Sequence, residues 1–482
     1  MSVLHADVAV IGNELCGYAA AALLAHGRRR VVVIDDGEGD DAKPLGDRLV
    51  PTSTSLWRPP ASGPAAELME QLGLRQRVRH ELGDAIGLSL IDDPDVRVVL
   101  PPDPGERLAE LQRAFGEAGP RLQQVMQGFP ADGRDALVEE AALLFEVGLL
   151  ERYRAKKRVQ RLGNIGDLDG HDPVAAGLGV RGPGAALPHL LPFVQHLAAP
   201  PAHGLAGYLG MAVLSLGTAG NGRCGLGLRS SLRALFSEVV QGHTGDVLRD
   251  TGAVELVVDK KRVLQVNTDG QNQYRVRAVI DATTGRTLSS RLPASRPTDA
   301  LRAQEQLVPM TGGAASVRWL LPRAFLPRGL PSRALVLSEE EGLPSALLGV
   351  YSHPPPLLPS KKMEDDVAAV VLAARCEDDR SHEVAKRLDE RLERLMPFAQ
   401  RHCEARDHVV GTEAKCAMPT YQPASTAQHS LRGRRPTTPF SNLFRAGRDL
   451  APALGIDGEL AAARAVATAA QRVLSKGVRL ES

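Results

Sequence analysis

The first thirty-six residues constrain the fold of this chain more than any other stretch. Ala6 to Ile11 reads as a buried strand, Gly12-Asn13-Glu14-Leu15-Cys16-Gly17 as a tight turn, and Tyr18 to His26 as an Ala-rich helix. Arg30 to Ile34 then reads as a second strand ending in Asp35-Asp36. Strand, glycine turn, helix and strand in this order form a βαβ unit whose glycine fingerprint, G-x-G-x-x-G, cradles a dinucleotide. Asp35 stands eighteen residues after Gly17, where a carboxylate takes a ribose hydroxyl. Glu14 replaces the second glycine, the one that lets the backbone approach a pyrophosphate.

A chain of 482 residues, 43% of them hydrophobic, is too long for one simple core and points to two domains with interleaved segments. A net charge of +1 supplies no global field for nucleic acid or a membrane, so any charged partner is met locally. The five cysteines (Cys16, Cys224, Cys376, Cys403, Cys416) are scattered, with no C-x-x-C pair and no histidines at zinc spacing, which points to a reduced, cytoplasmic protein without a metal site. The N-terminus lacks a basic leader region, and no apolar run of eighteen residues suggests a membrane span. Two Trp, six Tyr and nine Phe leave few flat surfaces for a conjugated ligand.

Residues 37 to 48 read as a polar, acid-rich loop; next to a phosphate site its charge would weaken phosphate binding. From about residue 62 to 219 the pattern is mostly helical, broken at Pro101-Pro102, Gly182-Pro183-Gly184 and Pro200-Pro201. Within it, Arg152 to Arg161 is basic, a solvated face or a surface for an anionic membrane or protein partner. Residues 186 to 219 are apolar and suit a helical core or an apolar cavity. Gly177-Leu178-Gly179-Val180-Arg181-Gly182 matches the glycine fingerprint but follows no strand, and Pro200 stands where its carboxylate should be, so it does not signal a second nucleotide unit.

Gly225 to Asp281 reads as a helix through Val240 followed by strands at Ala253–Val258, Val263–Asn267 and Tyr274–Asp281. Residues 300 to 355 mix strands and turns, and Glu364 to Glu404 reads as mainly helical. Asn442 to Asp449 reads as a short strand into a loop, and Gly455-Ile456-Asp457-Gly458 opens a long Ala-rich helix ending near Leu474.

Three separated blocks carry a family resemblance: the N-terminal βαβ with Asp35, the block from Gly225 to Asp281, and Ala446 to Leu460. Together they resemble the flavin-dependent amine oxidase and phytoene desaturase superfamily. The resemblance implies an α/β fold: a Rossmann-type FAD-binding domain assembled from residues 1–61, 220–295 and 426–482, with an interleaved α+β substrate domain from 62–219 and 296–425. Carried over by residue, it implies that Gly12 and Gly17 form the turn beneath a pyrophosphate and that Asp35 holds the adenosine ribose. Val254 matches the strand valine that meets the adenine, Gly447 and Asp449 match the segment near the ribitol chain, and the helix from Ile456 points its N–H groups at the flavin. Arg48 is kept from the family's Gly-Gly-Arg segment, with Asp47 replacing the second glycine. At ~5 Å and an effective dielectric near ~20, a carboxylate such as Glu14 or Asp47 beside a phosphate costs roughly 3 kcal/mol.

Two functions follow. One is a phytoene-desaturase-like, FAD-dependent oxidoreductase acting on an apolar, isoprenoid or lipid-like substrate, in which the cofactor performs the chemistry and no side chain need act as acid or base. No Ser-His-Asp set, metal cluster or clear catalytic base appears in the sequence. The other is a cofactor-free binding or scaffold protein on the same fold, similar in kind to the Rab GDP-dissociation inhibitors of that superfamily.

Overall fold

The computed structural model describes residues 3–35, 37, 41–92, 96–117, 119–120, 123–124, 217–219, 226–243, 245–249, 251–269, 272–284, 288–336, 345–357, 366–421 and 433–475. The basic run Arg152–Arg161, the second glycine match at 177–182, Cys224, Gly225 and most of the apolar stretch 186–219 lie outside them.

In chain order the fold begins with β1 (Val3–Ile11), α1 (Leu15–His26), β2 (Val31–Ile34), β3 (Ala42–Leu45), β4 (Arg48–Pro51), α2 (Gly63–Gln71) and α3 (Arg75–Leu82). Next come β5 (Ala85–Ile86), β6 (Leu88–Asp92), β7 (Val96–Leu100), α4 (Pro104–Phe115), β8 (Thr218–Ala219), α5 (Leu228–Gln241) and β9 (Gly245–Leu248). A meander of β10 (Ala253–Asp259), β11 (Arg262–Thr268) and β12 (Gln273–Asp281) follows, then α6 (Arg296–Gln306), β13 (Met310–Pro322), β14 (Arg333–Val336), β15 (Ala346–Ser352) and β16 (Val367–Glu377). The described chain closes with α7 (Ser381–Leu395), β17 (Ala405–Val409), α8 (Gly411–Ala417), β18 (Thr420–Tyr421), β19 (Leu443–Arg445) and α9 (Gly455–Ser475).

Two large sheets result. The first runs β10-β11-β12-β1-β2-β9, with β19 also on β12. Its β9-β2-β1-β12-β19 portion is parallel throughout, the doubly wound arrangement in which ligands lie outside the carboxyl ends of the strands where the strand order reverses. That reversal falls at β1. The second sheet runs β17-β13-β16-β15-β14-β6-β7, with β18 on β13. The fold class is therefore α/β, a Rossmann-type sheet built from discontinuous segments with a mixed second sheet interleaved.

On the first sheet α1, α5 and α9 share one core with α2 and α3, while α6 and the meander cover the other face. Helix α1 is buried from Leu15 through Ala25, and its Ala-rich sequence lets α5 and α9 lie close against it. In the second sheet, Arg318 on β13 clamps the β3–β4 hairpin to the sheet: its guanidinium donates to the carbonyls of Val50 (2.9 Å), Lys43 (3.2 Å) and Pro44 (3.3 Å) and pairs with Asp407. Three of the five hydrogen bonds on this buried cation tie the hairpin to its place, and the other two go to Asp407 on β17.

The structure corrects two helical readings. Val367–Glu377, expected to be helical, is the inner strand β16, paired on both sides by β13 and β15. Its Ala-rich, wholly apolar first eight residues lack the polar stripe of a surface helix because both faces of the strand are covered, by α7 on one side and the β3–β4 layer on the other. Leu88–Asp92 and Val96–Leu100, inside the mostly helical stretch, pair as the antiparallel strands β6 and β7.

Packing of α1 on the end of β12 supplies a test. A Cβ at Gly17 would lie 2.2 Å from the Ala282 Cβ. Gly17→Ala is expected to lower unfolding free energy by about 1–3 kcal/mol in a urea titration, the usual cost of overpacking, and Ala282→Gly in the same chain to recover part of it.

Candidate functional site

The site is built where β1 hands over to α1. Gly12 sits at φ +98° with its N–H donating to the Ile34 carbonyl (2.8 Å), and a Cβ there would lie 2.4 Å from the Ala282 carbonyl oxygen. Only glycine holds this conformation at this approach without strain. Both fingerprint glycines are thus demanded by packing against Ala282, whatever lies above the turn.

Glu14 is the residue that faces outward from that packing, and it is 2% exposed. Its N–H donates to the Ala282 carbonyl (3.0 Å), its Oε1 accepts from the Thr284 hydroxyl (2.5 Å), and its Oε2 accepts from Arg448 Nε (3.1 Å). The side chain therefore runs from the β1–α1 turn to the chain leaving β12, across the crevice where a pyrophosphate would pass. Arg448 Nη1 donates in turn to the Ala417 carbonyl (2.8 Å), which fixes the guanidinium from the far side. Glu14 is compensated, so the charge penalty expected from sequence is largely cancelled; what remains is occupied space and an occupied cation.

Asp35 ends β2 as expected for a ribose ligand, but both of its oxygens are engaged. Tyr18 donates its hydroxyl to Oδ2 (2.5 Å) and Gly37 its N–H to Oδ1 (2.9 Å). Burial, and then the neighbouring Asp35 carboxylate, raises the Tyr18 phenol well above its ordinary range, so the phenol stays a donor. Of the acid-rich loop, Asp41 is buried rather than solvated and accepts from Arg233 (2.6 Å) and Ser230 (2.8 Å).

At the carboxyl end of β19, Asp449 Oδ2 accepts from Arg445 Nε (2.9 Å) and Arg434 Nη1 (3.0 Å), and Gly447 packs beside it so closely that a Cβ there would lie 2.8 Å from Asp449 Oδ1. Arg445 also reaches Glu305 (3.3 Å). Ile456 is buried in the first turn of α9, where Asp457 accepts from the Trp57 indole (2.9 Å) and Glu459 is paired with Arg229. Burial pushes the Glu459 carboxyl upward and Arg229 opposes that shift.

The remaining expected residues lie elsewhere. The Arg48 guanidinium, buried at the start of β4, faces the Pro354 carbonyl (3.4 Å) and the Asp47 carboxylate (3.4 Å). Val254 lies on β10, at the register shift between Ala253 and Glu255; its side chain is outside the described residues. The structure thus packs Gly12 and Gly17 against Ala282, lines one cavity with Glu14, Gly447 and Asp449 and another with Ile456, sets Asp35 just past β2, and directs Arg48 into the second sheet's layer.

Tyr18, Thr284, Arg448, Arg229, Arg233 and Arg375 were not singled out as site residues from sequence. Each acquires its role from a partner at least seventeen positions away in the chain or, for Arg375, from a place on a sheet, so no local spacing announces it. Two cavities flank the Glu14–Arg448 pair. One, of about 410 Å³, is lined by Glu14, Thr283, Glu305 and Arg434; the other by Arg448, Arg229, Arg375, Met418 and Ile456. Tyr421 lines both, so the ion pair and this tyrosine form the wall between them. The residues present do not fit an FAD spanning the crevice: the crossing is filled, and the ribose and ribitol carboxylates are taken by the chain's own donors. Among the described residues no cluster suits a metal ion, and no helix is long and apolar enough to cross a membrane.

The buried pair can be tested by a mutant cycle. Glu14→Gln leaves the Arg448 charge uncompensated and is expected to cost about 3–5 kcal/mol in unfolding free energy, while Glu14→Gln with Arg448→Met recovers most of that loss. Additive losses in the double variant would show that the pair does not act as a unit.

No protein-family model and no curated protein sequence matches the chain. Solved structures share its fold across nearly its whole length. A putrescine oxidase triple mutant from a redesign of cofactor binding is 16% identical, covers 99% of this chain and 100% of its own, and superposes with a TM-score of 0.56. A Rab GDI from Plasmodium falciparum is 12% identical over 96% of this chain and 97% of its own, TM-score 0.53. An oxidoreductase from Methanosarcina mazei is 11% identical over 95% and 99%, TM-score 0.51. At such identities the likeness is one of fold, and it is a fold that oxidoreductases and a Rab GDI have in common.

Proposed function

We propose that this chain is a cofactor-independent binding protein on the dinucleotide-binding fold, taking an apolar or lipid-like ligand in the cavity between the two sheets. The observation that carries this reading is the buried Glu14 carboxylate, held by Thr284 and Arg448 across the point where a dinucleotide would cross. Displacing it would separate a buried ion pair and leave either partner to be re-solvated, a cost of several kcal/mol that FAD binding would have to overcome. The Tyr18–Asp35 hydrogen bond acts in the same direction at the ribose end.

The phytoene-desaturase-like oxidoreductase is the second reading. It is favoured by Asp35 at the end of β2 and by the first turn of the 21-residue helix α9 facing the cavity, both retained where a flavoprotein needs them. Likeness of fold to putrescine oxidase supports it, and likeness to the Rab GDI supports the cofactor-independent reading equally.

A visible spectrum and an FAD titration separate the two. The cofactor-independent reading expects a colourless protein with no flavin band after gel filtration and no thermal shift with excess FAD. A flavin band near ~450 nm that stays with the protein, a property of the cofactor itself, would establish the oxidoreductase reading instead. Glu14→Gly, which opens the crossing and frees Arg448 for a phosphate, is expected to gain FAD affinity by about tenfold or more over the parent, as a released charge-assisted contact allows. Equal affinities in an equilibrium titration would show that Glu14 is not the barrier.

A further inference from the structure

The charges around the cavity that holds Arg448 can be paired off one by one. Asp41 is taken by Arg233, Glu459 by Arg229, and Glu14 by Arg448. Among the described residues one cation is left over. Arg375 lies near the end of β16, where its backbone pairs with Ala314 and its side chain lines the cavity. Strand alternation places it on the same face as Ala369 and Val371, toward the β3–β4 layer, and opposite Val370, Leu372 and Ala374, which pack under α7. Its Nε is shut off from solvent, and no acceptor or carboxylate among the described residues meets the guanidinium. Burial alone, with no compensating anion, pulls its pKa downward.

A half-buried guanidinium whose Nε is shut off from solvent without an acceptor is costly, so a fold that keeps one in a cavity wall has reason to use it. The rest of the wall states the partner's chemistry. Leu56, Leu347, Met418 and Ile456 are apolar, Ser53 and Ser55 add two hydroxyls, and Gly455 brings the N-terminus of α9, whose free N–H groups favour negative charge. One uncompensated cation in a mainly apolar chamber matches one negative charge on an apolar body. A planar guanidinium matches a planar carboxylate through two parallel hydrogen bonds.

We propose that this chamber binds a small amphipathic monocarboxylate, its carboxylate on Arg375 and its apolar part against Leu347, Met418 and Ile456. The site deepens the cofactor-independent reading and rests on it, since an FAD would compete for the same chamber.

Calorimetric titration of the full chain with decanoate, decanol and inorganic phosphate tests the site. Decanoate is expected to bind, with decanol and phosphate weaker by about tenfold or more, because the first lacks the charge and the second the apolar body. Arg375→Met is expected to lose decanoate affinity by about tenfold or more while its thermal midpoint holds or rises, since no internal partner is broken. Arg375→Lys, which keeps the charge without the fork, is expected to fall between the two. Failure of the wild-type chain to bind decanoate, equal affinities in wild type and Arg375→Met, or unfolding of Arg375→Met would each overturn the site, the last by showing that Arg375 has a structural partner. The absorbance of the same sample keeps the two proposals apart. Colourless protein that ignores decanoate sinks the carboxylate site alone, whereas a flavin band sinks the cofactor-independent reading, and Arg375-dependent decanoate binding once that flavin has been stripped would leave the carboxylate site standing.

Discussion

The carboxylate of Glu14 joins three parts of the chain that are far apart in sequence. It leaves the β1–α1 turn, meets Thr284 just past β12, and ends on Arg448 just past β19. Those are the carboxyl ends of the strands that frame the crevice in a doubly wound sheet. In a buried setting such a pair is strong only while both members are present, so the turn, the β12 exit and the β19 exit are held at one mutual spacing. Other ion pairs repeat the pattern around it: Arg233 ties α5 to Asp41, Arg229 ties α5 to α9, and Arg445 with Arg434 fixes Asp449. The crevice is closed by a charge network that the protein satisfies internally.

This arrangement separates two roles that a glycine fingerprint normally combines. Gly12 and Gly17 serve packing, because any Cβ at either would run into Ala282. The second glycine serves only the approach of a ligand, and that is the position at which Glu14 stands. A sequence released from holding a pyrophosphate could therefore lose the middle glycine and keep the outer two without harm to the fold. The retained pair of glycines is evidence of architecture, and the middle position is evidence about the ligand.

Much of the first sheet was legible in the sequence because its elements announce themselves locally. The βαβ unit, the meander from Ala253 to Asp281 and the Ala-rich terminal helix each carry their own periodicity and turn residues. β16 was not legible, because a strand covered on both faces loses the alternation that marks strands, and alanine favours helix when nothing else decides. At the site, Glu14 was legible as a misplaced charge, but its compensation by Arg448 depends on a contact across 434 positions. Arg375 was invisible for a compound reason: with its stretch read as helix, the face it occupies could not be assigned.

The order in which these pieces leave the ribosome adds one more consequence. Helix α1 is apolar on every side, buried from Leu15 to Ala25 between α5 and α9, and α9 is built from Gly455–Ser475, near the end of the described chain. During synthesis the first helix must wait, uncovered on one flank, until more than four hundred further residues have been added. At about 5–20 residues per second that is a delay of at least roughly twenty seconds. An apolar helix kept waiting so long is a natural client for a chaperone, and a message truncated before α9 would yield a chain whose first helix never finds its cover on that flank.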